Sequence, residues 1–389
     1  MDNFPAPTEH ALALSERLTD LIRKEIAAAG GALPFSVFME RCLYAPGLGY
    51  YSAGSRKFGS AGDFVTAPEL SPLFGRCLAQ TCGHVLEQLG GGDILEFGAG
   101  SGALAVDVLG ELERLGRLPG RYLILERSAE LRERQQQRVA EQLPHLRDRV
   151  GWLEALPEPG FAGVLLGNEV IDAMPAERFH WTGATVEQFC VTCSHTGFEW
   201  QLQAANDDVL IAAVQELQQE CGLAAGYMSE VNLSIAPWLE SVAGVIGRGL
   251  LLLCDYGYPR HEYYHPQRDR GTLMCHYRHH AHDDPFLWPG LQDITTHVDF
   301  TAVAGAGVAA GMDVTGYTTQ AGFLLDSGLD ALLQASGPVD SVAYIKAAQQ
   351  AKQLTLPGEM GERFAFIGLA TGVDGALPGF RMQDMRQRL

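Results

Sequence analysis

The stretch DILEFGAGSG, Asp93–Gly102, reads as a short apolar strand that runs into glycines where a helix should begin. Gly98, Gly100 and Gly102 let the backbone turn tightly and let a ligand approach with no Cβ in the way. The N-terminus of the helix behind them offers free N–H groups to a negative group. As a pattern the stretch is ambiguous, because GAGSGA also fits the dinucleotide fingerprint G-x-G-x-x-A. Glu126 narrows it. This acid ends the next strand, YLILERS (Tyr122–Ser128), where a carboxylate accepts bonds from both hydroxyls of a ribose. A nucleoside ligand follows, and NADP is disfavoured because the carboxylate would repel a 2′-phosphate.

Outward from this point, strand and helix patterns alternate. Strands are expected at Asp93–Phe97, Tyr122–Glu126, Val150–Leu153, Gly163–Leu166 and Leu250–Cys254, with helices at Leu104–Leu115 and Ala129–Leu143. Short apolar strands separated by helices predict an α/β fold with a parallel sheet covered on both faces. An insertion at about 176–249 is expected to hold a hairpin (Arg178–Leu202) and helical segments after Asp207. Residues 256–300, dense in His, Tyr, Asp and Pro, predict a structured substrate loop. The tail predicts a helix (Ala302–Gly311) and two strands (Asp313–Thr319, Phe364–Ala370). Upstream, helices are expected at 9–29 and Pro72–Leu89, flanking a Gly- and aromatic-rich loop at 44–69. The expected division is an N-terminal region of helices and loop, 1–90, and a nucleoside-binding domain, 91–389.

Composition bounds the function. Of 389 residues, 47% are apolar and 19% charged, and no apolar run approaches the roughly 18 residues a membrane helix needs. A formal net charge of −19 argues against nucleic acid as a partner and suits a cationic one. The opening MDNFPAPTEH has no signal pattern, and the eight cysteines are scattered singly, so a cytoplasmic location is expected. CHYRHHAHDD (Cys275–Asp284) invites a metal reading, but no metal is expected. Cys190 and Cys193 sit three apart in an expected strand, so they point to opposite faces.

A second polar cluster lies in GVLLGNEVIDAMP (Gly163–Pro175), where an apolar strand stops at Asn168, Glu169 and Asp172. Carboxyl ends of parallel strands line the ligand crevice, so these groups are expected near the reacting end of the cofactor. A helix cap with first-turn acids is the simpler alternative. GSAGDFVTAPELS (Gly59–Ser71), with Asp63, Thr66 and Glu69, and DITTHVDF (Asp293–Phe300) have the composition of a lid or substrate wall, although capping and turn roles explain each polar residue singly.

LYAPGLGYYS (Leu43–Ser52), GDFVTAPELSPLFG (Gly62–Gly75), LEFGAGSG (Leu95–Gly102), GNEVIDAMP (Gly167–Pro175), DYGY (Asp255–Tyr258) and THVDF (Thr296–Phe300) together resemble one family. It is the S-adenosylmethionine-dependent methyltransferases that include the mitochondrial complex I assembly factor acting on a protein arginine. The resemblance covers nearly the whole chain and implies a Rossmann-like seven-stranded class I methyltransferase sheet with its last strand antiparallel. It implies S-adenosyl-L-methionine as cofactor and a protein substrate presenting an arginine. The donor's sulfonium makes its methyl electrophilic, so the chemistry asks for alignment rather than a metal. A guanidinium is always protonated and needs carboxylates to bind it and localise its charge. Glu169 and Asp172 are the expected catalytic carboxylates; Asp63, His297 and Asp299 are of second rank, His297 to relay the released proton and the two carboxylates to orient it. The expected cofactor site comprises Gly62, Asp63, Thr66, Glu96, Gly98, Ala99, Gly100, Gly102, Glu126, Arg127, Leu153, Glu154, Ala155, Asn168 and Glu169. Alternatives kept open are a small-molecule methyltransferase, an NAD-dependent oxidoreductase and a non-catalytic nucleoside-binding assembly factor.

Overall fold

A computed structural model describes residues 4–52, 66–195 and 197–389. The chain forms two compact units, each assembled from separated segments. The first gathers Met1–Phe64, Ile171–Pro237 and Tyr258–Asp299, and the second Val65–Val170, Trp238–Gly257 and Phe300–Leu389. This division is discontinuous, whereas the sequence suggests a single boundary near residue 90. The helix Pro72–Leu89 belongs to the second unit.

The second unit is built on an open sheet. Its strands are β1 (Asp93–Phe97), β2 (Tyr122–Leu125), β3 (Val150–Leu153), β4 (Phe161–Asn168), β5 (Ile246–Tyr258), β6 (Asp313–Thr319) and β7 (Phe364–Thr371). They lie in the order β3-β2-β1-β4-β5-β7-β6. The pairs from β3 to β5 are parallel, and β7 runs antiparallel to both β5 and β6. This is the Rossmann-like α/β arrangement that the resemblance implies. Leu250–Cys254 of β5 is buried at every position, as a strand covered on both faces must be. Pro72–Leu89 starts at Ser71, whose hydroxyl accepts from the Leu73 N–H (3.3 Å), and stops at Gly90 in the left-handed region (φ 74°). A Cβ on Gly75 would lie 2.6 Å from Asp107 Cβ, so glycine there lets this helix pack closely on Ala103–Arg114. Phe323 stacks on Phe366 in the core, with ring centroids 3.8 Å apart.

In the first unit, Ala32–Pro34, Val186–Cys193, Glu177–Trp181 and Tyr227–Val231 form a sheet in that order, and Phe198–Ala204 pairs with Val186–Cys193. The expected hairpin over Arg178–Leu202 is therefore a three-stranded antiparallel run followed by the helix Asp208–Cys221. Cys190 is buried and Cys193 exposed, on opposite faces of their strand. The expected loop at 256–300 contains a small sheet of Met274–Tyr277, His280–His282 and Asp293–Thr295. Its strands are three or four residues long, too short for alternation to register in the sequence. Among the described residues no helix is long and apolar enough to cross a membrane.

Candidate functional site

The carboxyl end of β1 turns through Gly98, Gly100 and Gly102, all in the left-handed region (φ 60°, 52° and 81°). Side chains rarely adopt that backbone, which explains the glycines. The Gly98 N–H donates to Leu125 O (3.1 Å), tying the turn to β2. A Cβ on Gly98 would meet no atom within 4 Å, so the turn borders open space. Ala99, between the first two glycines, is buried. The helix Ala103–Arg114 begins at Gly102 with no side-chain cap, which presents its first amides to a ligand.

Glu126 follows β2 and is 8% exposed. Its Oε1 accepts from the Ser128 N–H (2.9 Å) and its Oε2 from Gln135 Nε2 (3.2 Å). Burial pushes its pKa above the usual carboxylate range, and these donors pull it back. Gln135, on the helix Ala129–Gln142, is fully buried. The same Nε2 donates to Gly100 O (2.9 Å), and Gln135 Oε1 accepts from Trp152 Nε1 in β3 (2.9 Å). One carboxamide thus joins the chain ends of three adjacent strands. The sequence reading missed it, because QQQ in RERQQQRVAEQ looks like a solvated helix face.

The other expected cofactor residues fall in varied places. Leu153 is half-buried, Glu154, Ala155 and Arg127 are exposed, and Glu154 pairs with Arg132 (3.0 Å). Glu96 is 3% exposed and accepts from Tyr122 Oη (2.8 Å); burial pushes its pKa up to about 8. Thr66 precedes the short helix Ala67–Leu70, and Glu69 on that helix accepts from Ser101 Oγ beside the glycine turn and pairs with Arg138 (3.6 Å). Gly62 and Asp63 lie outside the described residues.

At the carboxyl ends of β4 and β5, Asn168 Nδ2 donates to Glu169 Oε1 (3.1 Å), and the Glu169 N–H donates to Cys254 O (2.9 Å). Glu169 has φ 53°, a strained value for a residue with a side chain. The buried Asp255 carboxylate accepts from the Val170 N–H (3.2 Å) and the Tyr256 N–H (2.9 Å), which fixes the chain just past Glu169. Asn168 Oδ1 is buried without a hydrogen-bond partner among the described residues. Open space at Gly98, uncapped amides, a held carboxylate at Glu126 and this spare acceptor suit a nucleoside bearing a charged amino-acid tail.

The remaining expected catalytic residues belong to the first unit. Asp172 is buried, and its carbonyl accepts from the Thr296 N–H (3.0 Å). Tyr44 and Tyr51 stack with centroids 5.5 Å apart, and Tyr51 Oη donates to both oxygens of Asp293 (3.0 and 3.1 Å). Tyr44 Oη donates to Ala173 O (2.9 Å). Burial first, then the charges of Asp293 and Asp172, pushes both phenols up. These tyrosines and Asp293 were not among the predicted catalytic residues, although they sit in quoted motifs. His297 stacks flat on Tyr258 (5.4 Å, 6°), and its N–H donates to Thr272 Oγ1 (3.0 Å). Asp299 pairs with Arg260 (3.0 Å), which also bonds Glu220 (2.7 Å). Among the described residues no group of three or more His, Cys, Asp or Glu could hold a metal ion.

Residues 77–318 match the family of S-adenosyl-L-methionine-dependent methyltransferases. Curated relatives include the mitochondrial protein arginine methyltransferase NDUFAF7 homolog of Caenorhabditis elegans, 26% identical over 92% of this chain and 86% of its own. NDUFAF7 of Mus musculus is 27% identical over the same shares. A crystal structure of a superfamily member from Burkholderia thailandensis bound to S-adenosyl-homocysteine is 44% identical, covers 100% of both chains and superposes with a TM-score of 0.95. A native crystal structure from the same organism is 43% identical over the same coverage, with a TM-score of 0.93. These findings decide between the methyltransferase and the dehydrogenase that the glycine turn alone left open: the chain belongs to the S-adenosyl-L-methionine-dependent methyltransferase family, and S-adenosyl-L-methionine is its cofactor.

Proposed function

We propose that the enzyme methylates a guanidino nitrogen of an arginine presented by a protein substrate. The donor supplies an electrophilic methyl group on a sulfonium. Glu126 accepts from the ribose hydroxyls, and the glycine turn with the amides behind it holds the amino-acid tail. The observation that carries the arginine reading is Glu169, a carboxylate at the end of β4 kept at φ 53° and braced by Asn168. Strain of this kind persists only where the surroundings over-determine it, and it clusters at functional sites. A carboxylate there grips a guanidinium in a charge-assisted pair and aligns one nitrogen for transfer. The names of the curated relatives support the same substrate class.

The test is to incubate the purified enzyme and isotope-labelled donor with a lysate of the source cells and locate the label by mass spectrometry. Label on arginine of one or a few proteins is expected. Label confined to small molecules, or to another residue type, would overturn the arginine assignment while leaving the methyltransferase intact.

A further inference from the structure

We propose that Gln135 is a positioning residue for donor recognition: its locked carboxamide holds the Glu126 carboxylate and the Gly100 turn in the arrangement that reads the ribose. The inference rests on Glu126 being the ribose acceptor.

The orientation of the carboxamide is forced. Indole N–H can only donate, so the oxygen of Gln135 must face Trp152 and its nitrogen must face the other way. That nitrogen carries two protons and meets two acceptors, Gly100 O at 2.9 Å and Glu126 Oε2 at 3.2 Å. Each proton has a destination and the side chain retains no freedom to flip. Glu126 is thereby held through one oxygen by Gln135 and through the other by the Ser128 N–H (2.9 Å). The Arg127 backbone adds a further hydrogen bond to the same carboxylate, so it is braced from several sides.

The identity of the partners argues for a role beyond filling space. Gly100 follows β1, Glu126 follows β2 and Trp152 lies in β3, so the helix Ala129–Gln142 reaches across three neighbouring strand ends with one side chain. A Cβ on Gly102 would come within 3.3 Å of Gln135, so the third glycine leaves room for this residue. A fully buried glutamine is costly unless every polar atom is satisfied, and here each is, by Gly100, Glu126 and Trp152.

The experiment compares Gln135→Met, of similar length without polar atoms, with Glu126→Ala and the unaltered enzyme. Calorimetric titration measures affinity for S-adenosyl-homocysteine and for its 2′-deoxy analogue, with the ligand-free melting temperature recorded alongside. The unaltered enzyme should prefer the ribose form by about tenfold, the size of one charge-assisted hydrogen bond. Gln135→Met should reduce that preference to roughly twofold, whatever it does to melting. A preference retained in Gln135→Met but lost in Glu126→Ala would overturn the role of Gln135. A preference retained in Glu126→Ala would instead overturn Glu126 as the ribose acceptor. Should Gln135→Met not fold, Trp152→Phe removes only the donor that orients the carboxamide. An intermediate preference is then expected, and an unchanged one would sink the proposal.

Discussion

Tyr122 Oη donates a 2.8 Å hydrogen bond to Glu96 inside the sheet, one strand's acid held by the next strand's phenol. Glu96 is raised from an ordinary value of 4.5 to about 8, chiefly by burial. Below pH 4.5 it is protonated in both folded and unfolded chains and costs nothing. As pH rises towards 8 the unfolded chain releases the proton while the folded one retains it, so stability is lost across that window. Glu96→Gln cannot ionise. Its melting temperature relative to the unaltered protein should therefore climb between pH 5 and pH 8 in ligand-free protein, with each pH unit worth up to about 1.4 kcal/mol. A constant difference across that range would show that Glu96 titrates normally.

S-adenosyl-homocysteine should raise the melting temperature and NAD should not. At about 100 times its dissociation constant a ligand adds ~2.7 kcal/mol. Gly98→Val should abolish the shift, because φ 60° disfavours a branched residue and the side chain would fill the open space beside the turn. Differential scanning fluorimetry with both ligands checks this.

Glu169→Gln keeps the shape at the end of β4 but removes the charge. Methyl transfer to the arginine substrate should fall at least about tenfold, since losing one partner of a buried charge pair costs ~2–5 kcal/mol. Glu169→Gly should be inactive yet more stable by up to about 1 kcal/mol, through relief of the left-handed strain. Activity and urea denaturation measured on the same preparations would separate the two effects. Full activity in Glu169→Gln removes it from the acceptor site.

Asp299→Asn should act on the fold of the first unit. Arg260 keeps Glu220 as a partner, so the loss should be about 1–3 kcal/mol. Affinity for S-adenosyl-homocysteine should be unchanged. A variant of native stability that has lost transfer activity would place Asp299 in the chemistry instead.

The sheet was legible because its strands are continuous apolar runs and its glycine turn is a local signal. Leu250–Cys254 announces a strand buried on both faces without reference to anything distant. Gln135 was not legible. Nothing in RQQQR distinguishes the glutamine that turns inward, and its three partners at 100, 126 and 152 meet only once β1, β2 and β3 are side by side. The Arg260 partner of Asp299 was hidden for the same reason: DITTHVDF displays an acid beside a histidine, while Arg260 lies nearly forty residues earlier. The discontinuous units escaped because a boundary crossed several times leaves no shift in composition at any single place.

The strand order has a consequence for how the chain is made. β5 and β6 are both separated from each other and joined by β7, which occupies residues 364–371 of 389 and hydrogen-bonds to both. Until those residues are made, β5 has its β4 partner available on one side but offers a bare edge on the other, along Gly249–Tyr256. Such an edge is a template for a neighbouring nascent chain. Nascent chains on one message therefore share a period of vulnerability that lasts until Phe364–Thr371 emerge, and a stop before Phe364 releases a chain whose β5 edge is unshielded.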